Sequence, residues 1–237
     1  MTHYLLRTCC SPNMTSHSGF VWPREGLVVA PDWDPTPECG HGLHGLLDGE
    51  GDGSLLSWMH AVWLVAEIDE WVDLNGKVKA PLARVVHCGN QATATAWLVA
   101  RCPGKAIVGR IATAGDHGTA TAGYHSTATA GDYGTATAGH DGTATVGNYG
   151  IATTGGRGTA TAGYCGTATA GYNGTATAGD GGIATAGYCG TATAGDHGTI
   201  IIAWWDGARR RLAVGYVGEG IDAGVAYRCE EGKLVKA

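Results

Sequence analysis

The middle of the chain is built from one short phrase. A sequence close to Thr-Ala-Thr-Ala-Gly-x-x-Gly occurs eleven times without a gap from Ile111 to Gly198. A unit of eight residues cannot enclose a globular core by itself, but stacked coils of β-strand can use it, because each coil packs against its neighbours. The repeat therefore predicts a β-solenoid.

Each eight-residue unit, or octad, divides into a strand and a corner. Thr-Ala-Thr-Ala alternates as a half-buried strand does, and the glycines of Gly-x-x-Gly permit the positive φ and close backbone approach of a turn. One octad supplies one strand and one corner, so a two-sided coil needs sixteen residues. Alternation at the first variable turn position supports this period. Odd octads carry Asp116, Asp132, Asn148, Tyr164, Asp180 and Asp196 there, whereas even octads carry Tyr124, His140, Gly156, Tyr172 and Tyr188.

The strand alternation puts the threonines on one face of each sheet and the alanines on the other. We predict that the threonines face outward. The opposite arrangement, with threonines inward in hydrogen-bonded ladders, stays open and is favoured by Ile151 and Ile183, which interrupt the even octads. The odd octads carry an unbroken double file of threonines, which is our candidate ligand- or ice-binding array: Thr127, Thr129, Thr143, Thr145, Thr159, Thr161, Thr175, Thr177, Thr191 and Thr193.

The segments beside the repeat have ordinary globular composition. Residues 1–104 predict a small α+β domain that serves as an N-terminal cap, followed by the solenoid at 105–198 and a C-terminal β-hairpin cap at 199–237. The expected fold class is mainly β. Within the first domain we predict strands at Tyr4–Thr8, Leu27–Ala30, Ala61–Ile68 and Arg84–Cys88, a hairpin across Asn75-Gly76, and a helix that Asn90 caps and that runs to about Cys102.

Charge and composition exclude several classes of protein. A net charge of −6 argues against a surface that follows nucleic-acid phosphates. Neither an export signal nor an apolar run of membrane-spanning length is present, so we expect a cytoplasmic protein without membrane contact. In that reducing compartment the eight cysteines are expected to be free thiols.

Two groups of residues in the first domain carry donor atoms that metals use. Cys39, His41 and His44 are zinc ligand types, with further thiols and an imidazole elsewhere in the domain, but no paired Cys-x-x-Cys supports a zinc site. Asp48-Gly-Glu-Gly-Asp52 resembles a calcium loop, but its twelfth position is Met59 where a bidentate glutamate is needed. We therefore predict no metal and no cofactor, and since no catalytic motif appears, no catalytic residues.

The two edges of the solenoid suggest different partners. Tyr124, Tyr172 and Tyr188 form a candidate homodimer contact, although Gly156 interrupts them. The acidic edge offers an alternative function, in which the solenoid is a protein-interaction rod of a phage or bacterial system.

Three resemblances extend these expectations. The phrase from Ala122 to Thr129 (Ala-Gly-Tyr-His-Ser-Thr-Ala-Thr) resembles the repeats of bacterial ice nucleation proteins. That resemblance implies a non-enzymatic protein whose Thr-x-Thr rows bind ice or ordered water. The whole chain resembles an uncharacterised bacterial and phage family that joins a small domain to octapeptide repeats. Tyr4, Arg7 and His44 are similar to residues of ADP-ribosyltransferase-like domains, which implies the further alternative of an N-terminal enzyme with the solenoid as its scaffold.

Overall fold

A seven-stranded antiparallel sheet forms the first of two units in the chain, the one that ends at Arg110. The computed structural model describes residues 2–237. The strand order across this sheet is 2-7-4-1-3-6-5. Its strands are β1 (His3–Cys10), β2 (Gly26–Val29), β3 (Leu43–Leu47), β4 (Ala61–Ile68), β5 (Val72–Asp73), β6 (Val78–Ala80) and β7 (Leu82–Gly89).

The four predicted strands and the predicted hairpin of this unit are present. A short helix, α1 (Gln91–Val99), follows the sheet and begins as expected, because the side chain of Asn90 accepts a hydrogen bond from the Thr93 backbone N–H at 3.0 Å. The helix ends three residues earlier than predicted. We did not predict β3, because its sequence Leu-His-Gly-Leu-Leu lacks the alternation of a half-buried strand.

The second unit begins at Ile111 and contains the predicted two-sided solenoid, with two parallel stacks of strands. One stack takes the odd octads and the other takes the even octads. Partners in each stack lie sixteen residues apart, as Thr127 opposite Thr143 and Thr135 opposite Ile151 illustrate. The odd stack comprises β8 (Ile111–Thr113), β10 (Thr127–Ala130), β12 (Thr143–Val146), β14 (Thr159–Ala162), β16 (Thr175–Ala178) and β18 (Thr191–Ala194). The even stack comprises β9 (Thr119–Thr121), β11 (Thr135–Ala138), β13 (Ile151–Thr154), β15 (Thr167–Ala170), β17 (Ile183–Ala186) and the longer β19 (Thr199–Trp205).

Alanine fills the space between the two stacks. Ala144, Ala152 and Ala168 are fully buried, whereas the threonines beside them are partly exposed, so the prediction that the threonines face outward is confirmed. Thr154 is the exception, because it occupies an inward position usually held by alanine, and its buried hydroxyl has no hydrogen-bond partner. An unpaired buried hydroxyl is destabilising.

The corners differ from the prediction in which residue takes the left-handed backbone conformation. The second variable position of every octad, and not a flanking glycine, has a positive φ, between 49° and 65°. The glycines are required for close approach instead. A Cβ on Gly139 would lie 2.8 Å from the carbonyl carbon and oxygen of Gly123 in the preceding coil. Consecutive coils therefore pack backbone against backbone at the corner.

Antiparallel strands end both stacks at their C-terminal side. In the even stack, β19 forms the predicted hairpin with β20 (Arg210–Tyr216). In the odd stack, β18 pairs with β21 (Tyr227–Glu230), which pairs with β22 (Lys233–Lys236). Ile200 and Ile202 replace alanine on the inward face of β19 and are fully buried. Larger side chains thus fill the end of the alanine core.

Candidate functional site

The candidate threonine array is a regular grid of side chains on the odd stack. In-register pairing places Thr127, Thr143, Thr159, Thr175 and Thr191 in one file and Thr129, Thr145, Thr161, Thr177 and Thr193 in a second. All ten are partly or largely exposed. Neighbouring strands are ~4.8 Å apart. The two threonines of one strand lie two positions apart in the sequence, which is roughly 6.7 Å along the strand. The array therefore presents hydroxyl and methyl groups at two regular spacings.

The even stack offers a similar but interrupted surface. Ile151 and Ile183 stand inside the even stack where the odd octads from Thr127 onward carry the first threonine, and they are 49% and 41% exposed. The odd stack has an isoleucine, Ile111, at this position in its first strand. The second file of the even stack, which includes Thr137, Thr153 and Thr169, is continuous. The two stacks thus have the same kind of second file and differ in the first file. Equivalent substitutions on the two stacks can therefore be compared directly.

The acidic edge of the solenoid has a structural task. The Asp116 carboxylate accepts a hydrogen bond from the Asp132 backbone N–H at 3.0 Å, and Asp132 accepts one from Asn148 at 2.7 Å. Asn148 continues the series with its amide oxygen, which accepts from the Tyr164 N–H at 3.0 Å. Because Tyr164 has no side-chain oxygen at this point, the series stops there and resumes at Asp180. Apart from this gap, the oxygens link successive corners of the odd edge.

Aromatic side chains lie on both edges, not mainly on the even one as the first turn position suggests. On the odd edge the second turn position brings His117 and Tyr133 together at 4.9 Å, and Tyr133 stacks on Tyr149 at 5.0 Å. Tyr164 then meets Tyr149 edge-on at 5.5 Å. Reading the second variable position of each octad would have revealed this file.

The three tyrosines of the predicted homodimer contact do not form one continuous file. Tyr172 and Tyr188 stack at 6.1 Å, and Tyr124 stacks on His140 at 5.3 Å. Gly156 separates the two pairs, as its sequence position indicates. The homodimer stays a prediction.

An ionic cluster fills the even edge near this gap. Asp141 lies 2.7 Å from His140 Nδ1 and 3.2 Å from Arg157 Nε, with His125 at 3.7 Å. Desolvation raises the pKa of the Asp141 carboxyl, but hydrogen bonds from His140 and Tyr124 outweigh it, so the pKa lies below its usual value. Arg157 shares this carboxylate, so the cluster is an ion-pair network.

The suspected zinc residues of the first unit are engaged separately. Cys39 accepts a hydrogen bond from Lys77 Nζ at 3.0 Å, His87 contacts the Thr93 hydroxyl at 3.0 Å, and Cys9 is buried. Across residues 2–237 no group of three or more His, Cys, Asp or Glu side chains is placed to hold a metal ion. All eight cysteines are free thiols. The same part of the chain contains no helix that is both long and apolar enough to cross a membrane.

The carboxylates of the calcium-like loop also point to different partners. Asp48 accepts from the Tyr4 backbone N–H at 2.9 Å, whereas Glu50 accepts from Lys105 Nζ at 2.8 Å. Asp52 accepts from the Ser54 N–H at 2.9 Å and caps a single 3-10 turn. Asp48 and Glu50 thus bind the loop to other parts of the first unit, and only Asp52 bonds within its own segment.

These features define a two-sided parallel β-solenoid with a regular outward threonine face. Its repeat region is similar to that of ice nucleation proteins. The relative from Pseudomonas fluorescens is 40% identical over 99 residues, which are 40% of this chain and 8% of that protein. InaU of Pantoea ananas is 38% identical over 101 residues, 40% of this chain and 10% of the relative. The chain spans about a tenth or less of the length of these relatives. No protein-family model matches the chain, and no solved structure matches it either.

Proposed function

We propose that this chain is a non-enzymatic binding protein that contacts ice or ordered water through the odd-stack threonines. One observation carries the proposal. Ten threonines form two unbroken in-register files on one exposed sheet. The similarity of the repeats to those of proteins named for ice nucleation supports the same ligand.

The physical basis is a rigid and periodic surface. Each threonine presents one hydroxyl that can donate and accept a hydrogen bond, beside one methyl group that cannot. Backbone hydrogen bonds link every strand to the next and fix the Cβ positions, and the β-branched side chain has few χ1 states. A surface that is already ordered loses little side-chain entropy when it holds a layer of water. The array therefore favours an ordered water layer more than a mobile side-chain surface does.

The odd stack is the better candidate of the two faces. Isoleucine at two positions of the even stack removes hydroxyls and leaves bulky apolar groups in the grid. The even stack also ends in the β19–β20 hairpin, whose outward side chains include Leu212 and Val214. The outward side chains are therefore more regular on the odd stack than on the even stack.

The test is to compare ice shaping and thermal hysteresis in two triple variants of the full chain. The first replaces Thr145, Thr161 and Thr177 with lysine, and we expect it to lose activity, since the three long charged side chains disrupt the second file. The matched control replaces Thr137, Thr153 and Thr169, which hold the equivalent position on the even stack. We expect the control to keep most of the activity.

Circular dichroism and thermal melting are used to check that both variants are folded. Equal activity in both folded variants would place the site elsewhere. An inactive parent protein, tested on ice crystals and in supercooled droplets, would end the proposal.

A further inference from the structure

The first unit contains a pocket of about 880 Å³ that the solenoid-based function does not use. Strands β1 and β3 supply Arg7 and His44 to its wall, and the segment before β2 supplies Phe20 and Trp22. Exposed loop residues on either side, among them His17 and His41, also line it, so the pocket is open to solvent.

Arg7 gives the pocket an uncompensated positive charge. Its Nη1 donates a hydrogen bond to the His44 carbonyl oxygen at 3.3 Å, and its guanidinium lies 4.1 Å from the centre of the Trp22 ring. The neighbouring Cys9 thiol interacts with this side chain, but the buried Nε has no oxygen or nitrogen acceptor. No carboxylate in residues 2–237 forms an ion pair with it. Arg7 is half-buried. A cation withdrawn from water without a counter-ion is unfavourable, and an anionic ligand would relieve that penalty.

The other titratable groups of the lining leave Arg7 without a counter-ion. Lys77 lines the pocket and donates to Cys39, which lowers the pKa of that thiol. Burial lowers the pKa of His44, which favours the neutral imidazole, and its buried Nε2 has no partner. The carboxylate in the lining, Asp32, accepts from the Gly42 N–H at 3.0 Å and faces His41 at 3.6 Å. The partners of Asp32 are therefore Gly42 and His41, and its carboxylate does not neutralise Arg7.

The remaining wall is apolar and largely aromatic. Phe20 and Trp22 meet edge to face at 6.0 Å, and the Nε1 of Trp22 is another buried donor without a partner. Leu43, Leu46 and Leu56 are buried in the same wall. Aromatic and aliphatic walls with a few polar groups are typical of small-molecule sites.

We propose that this pocket binds a small organic anion, in which a carboxylate, sulfonate or phosphate group is attached to a flat ring. The anionic group lies toward Arg7 and Lys77, and the ring packs on Phe20, which the buried Trp22 supports edge to face. The two cations disfavour metal ions and ammonium ligands. The first unit is then a ligand-binding module, whatever the solenoid contacts.

The test uses two related fluorescent probes on the full-length protein. 8-Anilinonaphthalene-1-sulfonate carries a sulfonate on an aromatic body, and N-phenyl-1-naphthylamine is its uncharged counterpart. We expect Arg7→Gln to weaken binding of the sulfonate by about ten- to a hundredfold, the range for a hydrogen bond to a charged group, with little change for the neutral probe. The matched control is Arg84→Gln, since Arg84 is exposed on β7 and outside the pocket lining.

A second variant keeps the proposal testable if Arg7→Gln fails to fold. Lys77→Gln removes the other cation, and we expect it to weaken sulfonate binding by about threefold and to reduce its salt dependence. The proposal is overturned if the parent protein does not bind the sulfonate. It is also overturned if the folded Arg7 variant, or in its absence the Lys77 variant, binds the sulfonate as tightly as the Arg84 control does.

Discussion

The two units of the chain stabilise their sheets in opposite ways. The antiparallel unit buries large side chains of many shapes, such as Trp63 and Leu64, each in a setting that occurs once. The solenoid buries alanine at nearly every inward position, as at Ala144 and Ala152. A large side chain removes much apolar area from water and alanine little. The first unit should therefore suffer most from truncation of side chains, and the second from added atoms.

Shortening a buried side chain in the core of the first unit should have the largest effect on stability. Leu64→Ala removes a fully buried side chain from the interior strand β4 and should lower the free energy of unfolding of this unit by about 2–5 kcal/mol. The corresponding change in the solenoid, Ala144→Gly, should cost only about 0.5–1 kcal/mol. Urea unfolding followed by tryptophan fluorescence and circular dichroism measures both. Similar losses in the two variants would contradict the contrast.

Addition of a methyl group at a solenoid corner comes next. Gly139→Ala places a Cβ 2.8 Å from the backbone of Gly123, which cannot move without shifting a coil, and should cost about 1–3 kcal/mol. Gly115→Ala is the control at the same corner position, because Gly115 has no atom within 4 Å of its added Cβ. The two variants should separate clearly in thermal denaturation, and equal melting temperatures would show that the corners are not tightly packed.

Loss of one corner acceptor should have a smaller effect. Asp132→Ala removes the oxygen that accepts the Asn148 N–H and should lower stability by about 1 kcal/mol. Asp132→Asn should stay close to the parent, since Asn148 itself makes the same kind of bond with an amide oxygen. If the asparagine variant is as unstable as the alanine variant, the negative charge matters more than the hydrogen bond. Denaturant titration of the three proteins decides between these outcomes.

The smallest effect concerns pH and the C-terminal hairpin. Backbone hydrogen bonds from Arg209 and Ala208, together with the Arg211 side chain, lower the pKa of Asp206 from 3.8 to about 2. A carboxyl whose folded pKa is depressed stabilises the fold above its unfolded pKa, and this contribution disappears as the pH falls through the folded value. We expect the Asp206 carboxyl to titrate near pH 2 by carbon-detected NMR, and a midpoint near 4 would show that the turn is open in solution.

The solenoid was predictable because every octad repeats the same strand-and-turn sequence pattern. Sixteen-residue coils and outward threonines both followed from alternation and period. The left-handed residue in each corner did not, because the residues at that position are as different as His117, Arg157 and Cys189 and share no turn-forming residue type.

The first unit was predictable only where its signals are local. The Asn90 cap and the Asn75-Gly76 hairpin depend on neighbouring residues, and both were correct. The pocket joins Arg7 to His44 across 37 positions of sequence. Nothing local links the two, because β1 and β3 become neighbours only when the sheet assembles. Sequence reasoning therefore named both residues without showing that they share a cavity.

The strict sixteen-residue register has a consequence for how such a gene can change length. Recombination between repeats that removes or adds two octads leaves every later strand in its own stack, so the C-terminal hairpin still joins the even side. A change of a single octad exchanges the stacks for all that follows, and β19 would then continue the wrong one. Descendants of this sequence should therefore differ in length by multiples of 48 nucleotides far more often than by odd multiples of 24.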